Sequence, residues 1–371
     1  MRERHIHVAL NCTKNGKLGW LVKQAGKVFA IPLSQGFKRP LCGPIEGIIT
    51  PTYRCNSECL MCDIPSRGVK QKELNLKEWQ EVVQDMVDLG ISGTGISGGE
   101  PLLSDHTIPL VDYITNKDIP VHISSNGYLI TEDKAKELID AGLESIAISI
   151  DSADPKTNDY LRGRKGGFDK AVQGVKTIAK VRSRLKNCNL RLTVASAVSC
   201  QNIHNALDIV DIAIELGADT VSFLPVMTGC IIINQKDRTE ALAFNEKDQK
   251  DIDEFIKKLT KLKYEKKIID NSMGFIEAMK SCLNNKPFPA TCFAGYTTLA
   301  VGADGNVFPC FDFLARNKSV GNIREVKLKE IWESREYSAM RQITAKCRDC
   351  YLACHHEFNL LYKFTGDLFY R

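Results

Sequence analysis

Three cysteines with short, unequal spacing are the residues of this chain that point most directly to chemistry. Cys55, Cys59 and Cys62 form the pattern C-x3-C-x2-C. Thiolates are the protein ligands of iron–sulfur clusters, and a four-iron cluster that is fully ligated by protein takes four cysteines. The pattern therefore predicts a [4Fe–4S] cluster in which one iron is open to a further ligand.

A zinc site and a disulfide are the alternatives for these cysteines. Structural zinc has four tetrahedral ligands, usually from paired C-x2-4-C knuckles, and only Cys59 and Cys62 have such a spacing. Disulfides persist in oxidising compartments, whereas the chain begins without the apolar segment of a secretory signal. We therefore favour the cluster, and we expect a cytoplasmic location.

The composition is that of a globular protein. The chain has 371 residues, 43% of them hydrophobic, and no apolar run reaches the length of a membrane span. The net charge is +5, with acidic and basic residues interspersed along the chain. We therefore expect neither nucleic acid nor a membrane as a partner.

From Gly47 the sequence alternates between strand-like and helix-like segments, which predicts an α/β fold with a parallel sheet. Six strands are predicted: 47–50, one that reaches Ser97, 121–124, 145–150, 190–196 and 220–224. Helices are predicted after the N-cap Asn75 and near 106–117, 131–141, 168–184 and 203–217. Six βα units in about 180 residues are too few for an eight-stranded barrel, which takes about 250 residues. The fold class expected is a partial (β/α)6 TIM-like barrel with a small cysteine-rich C-terminal domain.

Four regions are predicted along the chain. Strand-like runs at 5–10 and 18–32, with a turn at Gly26, predict an N-terminal β-hairpin cap over 1–44. The predicted barrel covers 45–228, a bridging helical segment 229–290, and the cysteine-rich domain 291–371.

The C-terminal region carries a second group of cysteines. Cys292 and Cys310 flank Gly305 in the pattern C-x12-G-x4-C, and three more follow at Cys347, Cys350 and Cys354. The segment 297–310 predicts a β-hairpin with an Asp-Gly type I′ turn, which would bring Cys310 close to Cys292. Zinc held by cysteines together with His355 or His356 is the alternative to an iron–sulfur cluster here.

Both cysteine patterns resemble those of known families. The first, together with the segment Ser97-Gly98-Gly99-Glu100-Pro101, resembles the radical S-adenosylmethionine (SAM) superfamily, whose members bind SAM at the open iron. The second resembles the SPASM and Twitch auxiliary-cluster domains. The full SPASM pattern usually has seven cysteines for two clusters, whereas this segment has five. We therefore expect one auxiliary [4Fe–4S] cluster, held by Cys292, Cys310, Cys347 and Cys350. Cys354 is the alternative ligand, or it belongs with Cys282 to a partial second cluster.

The resemblance also implies a SAM site at the carboxyl ends of the barrel strands, where such barrels do their chemistry. Two glycines allow close backbone approach, and Glu100 would pair with the SAM ammonium group. Four further candidates at strand ends could bind the ribose hydroxyls or the methionyl carboxylate: Ser124, Asn126, Ser149 and Asp151. Arg162 resembles the family's carboxylate-binding arginine. A solvated basic loop or a phosphate-binding turn is the alternative for Arg162 and its neighbours.

The resemblance implies reductive cleavage of SAM to a 5′-deoxyadenosyl radical that abstracts a hydrogen from a substrate. The low-potential electron would come from a flavodoxin- or ferredoxin-type donor. Peptide or protein modification is the favoured function. The alternative is oxidation or decarboxylation of a tetrapyrrole or another small molecule in cofactor biosynthesis. A non-catalytic iron–sulfur electron-transfer protein is the remote alternative.

Overall fold

A single sheet organises the molecule. The computed structural model describes residues 18–65, 72–186, 188–227 and 236–362. Six parallel strands run side by side in chain order: β1 Glu46–Ile49, β2 Gly93–Ile96, β3 Val121–Ser125, β4 Ser145–Ser149, β5 Arg191–Val198 and β6 Thr220–Pro225. Helices connect successive strands and pack against the sheet through one continuous apolar core. The predicted partial (β/α)6 TIM-like barrel is confirmed, and each predicted strand lies within two residues of an observed one.

The helices of the barrel follow from their local sequences. They are α2 Leu76–Asp88, α3 Thr107–Thr115, α4 Glu132–Asp140, α5 Pro155–Arg162, α6 Gly167–Arg184 and α7 Ile209–Glu215. In α2, Asn75 and Glu78 form a reciprocal capping box that satisfies backbone donors at the helix start. The same helix buries Trp79, Val83 and Met86 at helical spacing. Helix α5 lies in a segment for which no helix was predicted. Helix α7 is shorter than the predicted 203–217, since a 3₁₀ turn at Ala206–Asp208 precedes it.

The predicted N-terminal hairpin is wrong where the structure describes it. Residues 18–36 form a helix, α1 Leu18–Gly36, and the predicted strand at 5–10 lies outside the described residues. Lys27, Ile31 and Gln35 are buried at intervals of four while Phe29 is exposed, which is the repeat of a helix face, because a strand would place Phe29 on the same side as the other three. The Lys27 ammonium donates to the carbonyls of Pro44 at 2.6 Å and Gly90 at 2.5 Å, so tertiary contacts hold the helix.

The C-terminal cysteine segment extends the barrel sheet. Strand β7 Thr298–Val301 pairs parallel with β1, and β8 Val307–Phe308 pairs antiparallel with β7. The hairpin was predicted, but its type I′ turn is wrong. Gly305 has φ of +82° while Asp304 does not adopt positive φ, and the Gly305 N–H donates to the Gly302 carbonyl. The loop therefore has three residues and ends in a left-handed glycine. Such a loop is a common hairpin connection, like the two-residue loop that was predicted.

Further helices lie beyond the barrel strands: α8 Lys236–Leu242, α9 Gln249–Lys266, α10 Met273–Leu283, α11 Phe311–Ala315, α12 Leu328–Glu333, α13 Arg335–Lys346 and α14 Ala353–Leu361. The described part of 229–290 thus contains three helices. In the parts of the chain that the structure describes, no helix combines the length and the apolar character that crossing a membrane requires.

Candidate active site

The first cysteine group lies in the loop that leaves β1, and we call residues 54–62 the cysteine loop. Its three thiols are close enough to interact electrostatically, and the pKa of Cys55, Cys59 and Cys62 is raised in each case, chiefly by burial. For Cys62, burial and the charges of the other two thiols raise the pKa to about 12. Free thiolates are therefore costly here, and the site suits thiols whose charge is compensated by bound iron.

One side of the cysteine loop is fixed by the Gly-Gly-Glu segment that follows β2. The Gly99 and Glu100 N–H groups donate to the carbonyls of Thr52 at 3.0 Å and Arg54 at 2.9 Å. A Cβ at Gly99 would lie 2.1 Å from the Arg54 carbonyl oxygen. Gly98 has φ of +123°, and a Cβ there would lie 2.3 Å from a methyl group of Thr50. Both glycines are therefore required for the two backbones to approach.

The other side of the loop is fixed by the end of α5, which the sequence analysis missed. The Leu60 N–H donates to the Leu161 carbonyl at 2.9 Å, and the Arg164 guanidinium donates to the Asn56 carbonyl at 2.6 Å. A Cβ at Gly163 would lie 2.1 Å from the carbonyl oxygen of Glu58. The signal was present in the sequence. Asp154 caps the helix, Pro155 begins it and Gly163 ends it in the left-handed region.

Glu100 is 1% exposed and lies within a set of three donors. Its carboxylate accepts from Leu102 N–H at 3.1 Å, the Ser125 hydroxyl at 2.8 Å and Asn126 N–H at 2.8 Å. Burial raises its pKa, while these donors act in the opposite direction. The Glu100 and Cys55 charges also interact. The predicted ammonium-binding carboxylate thus lies next to the predicted cluster.

Asp151 and Arg162 form an ion pair inside the protein. Arg162 Nη2 lies 2.8 Å from Asp151 Oδ1, and Arg162 Nε lies 2.5 Å from Asp151 Oδ2. Asp151 is fully buried and also accepts from the Ala197 N–H at 2.7 Å. Burial alone would lower the pKa of Arg162, but the Asp151 carboxylate raises it overall. Arg162 also hydrogen-bonds to Cys59. Arg162 is therefore not part of a solvated basic loop, and Asp151 uses its carboxylate to hold it against the cluster site.

The three remaining SAM candidates occupy different positions. Asn126 Nδ2 donates to Asn56 Oδ1 at 2.6 Å and so contacts the cysteine loop. Ser124 lines the barrel cavity described next. Ser149, at the end of β4, is half-buried and is not among the residues that line that cavity.

A cavity of about 180 Å³ lies inside the barrel. On four strands its lining residues are two positions apart: Glu46 and Ile48, His122 and Ser124, Thr193 and Ala195, and Ser222 and Leu224. This alternation is that of the inward face of a barrel. Ala147 of β4 and the consecutive residues Gly95, Ile96 and Ser97 at the end of β2 complete the strand lining. Asp270, whose carboxylate pairs with Arg191 at 3.7 Å, contributes a further acidic group, and no lysine or arginine is among the described residues that line the cavity. Phe311 and Leu352 also line the cavity, so residues adjoining the second cysteine group reach it.

Three thiols of the second cysteine group lie close together. Cys292, Cys310 and Cys347 interact electrostatically, and burial raises the pKa of Cys292 to about 12. Cys350 lies in an apolar cluster with Tyr351, against which Cys282 packs. The Sγ of Cys350 is 3.1 Å from Nε2 of His356. The side chains of Cys354 and His355 lie outside the described residues.

Zinc was the alternative at both cysteine groups. Among the side chains that the structure describes, no group of three or more His, Cys, Asp or Glu residues is arranged to hold a single metal ion. Thiolates that bind different irons of one cluster need not converge on a single point. The raised thiol pKa values within each group are caused chiefly by burial, and such thiols lose their protons when they bind a metal.

Known protein families match both regions. The Radical SAM superfamily matches residues 49–194, and the SPASM iron–sulfur cluster-binding domain matches residues 292–351. These matches contain the cysteine loop and four of the five C-terminal cysteines named above.

Two curated relatives are similar over most of their length. An AdoMet-dependent heme synthase of Methanosarcina barkeri is 27% identical over 322 residues, which are 81% of this chain and 86% of that protein. The PqqA peptide cyclase of Rhizobium meliloti is 25% identical over 315 residues, 83% of this chain and 79% of that protein.

Two solved structures share the fold. Streptococcus suis SuiB bound to the precursor peptide SuiA has a TM-score of 0.64 at 21% identity, covering 82% of this chain and 68% of that one. AnSMEcpe with bound AdoMet has a TM-score of 0.63 at 18% identity, covering 83% of this chain and 89% of that one.

Proposed function

We propose that this chain, a radical SAM enzyme with a C-terminal SPASM domain, modifies a peptide or protein substrate. The radical SAM match implies SAM and its [4Fe–4S] cluster as cofactors, and the SPASM match implies an auxiliary iron–sulfur cluster. Membership of the superfamily also makes the protein an enzyme, so the non-catalytic electron-transfer alternative is not retained. We propose the class of the substrate and the roles of the individual residues as follows.

Bound together, SAM and its cluster supply the 5′-deoxyadenosyl radical that abstracts a substrate hydrogen. Cys55, Cys59 and Cys62 hold three of the irons. Glu100 pairs with the SAM ammonium, because its carboxylate is buried beside Cys55 and held in place by three donors. Gly98 and Gly99 keep that carboxylate beside the cysteine loop. Arg162 positions Cys59 from within its pair with Asp151, and Ser124, Asn126 and Ser149 are the candidates for the ribose and the methionyl carboxylate.

The charge of the barrel cavity is the observation that favours a peptide. Glu46 contributes an acidic group to the cavity, the carboxylate of Asp270 is ion-paired with Arg191 at 3.7 Å, and the described lining offers no lysine or arginine. Tetrapyrroles carry several carboxylates, and a carboxylate buried without a cationic partner is strongly disfavoured. A neutral or cationic amino-acid side chain, inserted from a peptide that lies outside, fits this electrostatic environment better. The likeness to a PqqA peptide cyclase supports the same substrate class.

Tetrapyrrole or other small-molecule oxidation or decarboxylation is the second candidate. It rests on the similarity to an AdoMet-dependent heme synthase, which covers 86% of that protein. The absence of lysine and arginine among the described cavity-lining residues weighs against it.

The auxiliary cluster is proposed to serve the substrate step. Cys292, Cys310, Cys347 and Cys350 are the proposed ligands, with Cys354 as the alternative to one of them. Phe311 and Leu352, which adjoin this group, line the cavity, so the cluster would lie within reach of the substrate radical and could accept its electron. We propose a flavodoxin- or ferredoxin-type protein as the source of the electron for SAM, in the reducing cytoplasm.

The experiment compares the two substrate classes on one enzyme preparation. The protein is reconstituted anaerobically with iron and sulfide, reduced with dithionite and given SAM. The candidate substrates are the short peptides encoded next to its gene and, in parallel, iron coproporphyrin III. The proposal predicts that a peptide increases 5′-deoxyadenosine formation and changes mass. Stimulation by the porphyrin with loss of carbon dioxide, and by none of the peptides, would contradict it.

A further inference from the structure

His356 lies beyond the last residue of the matched SPASM segment and contacts one of the proposed auxiliary ligands. It is 1% exposed, on α14, and its Nε2 lies 3.1 Å from Sγ of Cys350. The ring packs on Phe288, with 3.7 Å between the ring centroids and 38° between the planes. The Phe288 N–H in turn donates to the Arg348 carbonyl, between Cys347 and Cys350. The imidazole therefore has a defined position beside the cysteine pair.

The direction of the His356–Cys350 hydrogen bond follows from the next residue in the network. Asn359, fully buried and one helical turn further on, accepts the Phe293 N–H on its Oδ1 at 2.9 Å. That bond leaves its NH₂ group to face His356 Nδ1, also at 2.9 Å. An amide NH₂ can only donate, so Nδ1 accepts and the proton of the neutral ring lies on Nε2. The N–H at Nε2 then donates to Cys350 Sγ.

The same amide contacts a second proposed ligand. The Asn359 side chain also lies beside Cys292, where it acts to lower the pKa of that thiol. Because an amide NH₂ has two hydrogens, one can serve His356 and the other Cys292. A single buried network, Cys350–His356–Asn359–Cys292, thus joins two cysteines that the sequence separates by 58 positions.

We propose that His356 positions Cys350 and raises the reduction potential of the auxiliary cluster by donating an N–H···S hydrogen bond, with Asn359 fixing the donor tautomer. A hydrogen bond to a ligand sulfur withdraws electron density and stabilises the reduced, more negative cluster. A higher potential makes the cluster a better electron acceptor. The proposal rests on the auxiliary ligand set proposed above but not on the class of substrate.

The test is a redox titration of the full-length chain, followed by EPR. Cys55, Cys59 and Cys62 are first replaced by alanine, so that only the auxiliary cluster is observed. In this parent, His356→Phe keeps a ring against Phe288 and removes the N–H donor, while His356→Gln restores a side-chain N–H. His204→Phe is the matched control, because His204 is exposed and lies 3.6 Å from Asp251.

His356→Phe is expected to shift the midpoint potential to more negative values, and His356→Gln to return it towards the parent. His204→Phe is expected to leave it in place. An unchanged potential in iron-loaded His356→Phe overturns the proposal. A parent without auxiliary iron refutes the ligand assignment itself, so the iron analysis separates that failure from a failure of the His356 role.

A second measurement needs no substitution at position 356. The same parent, with His356 unchanged, is produced with ¹⁵N-labelled histidine. Pulsed EPR of the reduced auxiliary cluster should then show a weak coupling to a histidine nitrogen. The proposal is overturned if no coupling is seen. A coupling as strong as that of the histidine ligands in Rieske centres would overturn it as well, because His356 would then bind iron directly.

Discussion

Replacing Glu100 by glutamine removes one charge from the proposed SAM site and keeps the shape of the side chain. The carboxylate accepts three hydrogen bonds, from Leu102 N–H, the Ser125 hydroxyl and Asn126 N–H. A glutamine amide has a single oxygen. If that oxygen keeps the bonds to Leu102 and Ser125, the NH₂ group faces the Asn126 N–H, and one buried donor loses its partner.

The substitution is expected to change the free energy of SAM binding and the free energy of unfolding by different amounts. A hydrogen bond to a charged group contributes about 1.5–3 kcal/mol, so loss of the ammonium contact should weaken SAM binding by about 10- to 150-fold. The unpaired Asn126 donor costs folding about 1–3 kcal/mol. Burial raises the pKa of Glu100, so removing its charge relieves a desolvation cost and offsets part of that loss. We therefore expect a smaller effect on the free energy of unfolding than on SAM binding.

The assay is anaerobic calorimetric titration of SAM into the cluster-loaded protein, with iron determined on each sample. Ser125→Ala is the matched control, because it removes a neutral donor to the same carboxylate without removing its charge. The control should change SAM affinity far less than Glu100→Gln does. An unchanged affinity in fully iron-loaded Glu100→Gln would refute the assignment of Glu100 to the ammonium.

Three further predictions follow from the two cluster regions. Alanine at all three cysteines of the cysteine loop should remove about four of about eight irons and abolish SAM cleavage, while auxiliary iron remains; unchanged iron content would exclude this ligand set. Cys310→Ala should keep 5′-deoxyadenosine formation but lose product, as followed by chromatography and mass spectrometry; product at the normal rate would remove the auxiliary cluster from the substrate step. Gly163→Ala should lower the melting temperature and iron loading more than Gly166→Ala. Both glycines have positive φ, but only at Gly163 would the added Cβ meet a neighbour, the Glu58 carbonyl, so equal effects would argue against that contact.

The barrel and the first cluster region could be predicted because their signals are local. Strands such as β4 are short apolar runs with turn residues on either side, and the N-cap Asn75 marks the start of α2. The cysteine spacing needs no tertiary information. The strand and helix signals recur wherever the strands of a parallel sheet alternate with helices.

The errors arose where tertiary contacts decide the structure. The β-branched residues of the segment 18–36 favour a strand, but the buried Lys27 and Gln35 bond to distant backbone carbonyls, and the helix presents both on one face while it leaves Phe29 exposed. The contacts of α5 with the cysteine loop join residues about 100 positions apart, so no local pattern predicts them. The pairing of Arg162 with Asp151, which rules out the alternative of a solvated basic loop, also depends on tertiary packing and could not be read from local sequence.

The auxiliary ligands could be predicted from the sequence only in part. Their count and spacing are visible in the sequence, and the hairpin that carries Cys310 was predicted. The contact of Cys350 with the buried ring of His356 depends on three-dimensional packing. Only the spacing of His356 and Asn359, three residues apart on a helix, was available from the sequence.

Formation of 5′-deoxyadenosine tests the central claim most directly. The anaerobically reconstituted and reduced protein, with about eight irons per chain, is incubated with SAM, and methionine and 5′-deoxyadenosine are quantified against the variant that lacks the three cysteines of the cysteine loop. The account predicts both products in equal amounts from the wild-type chain and neither from the variant. A fully iron-loaded, reduced wild-type protein that forms no more 5′-deoxyadenosine than the variant would contradict it.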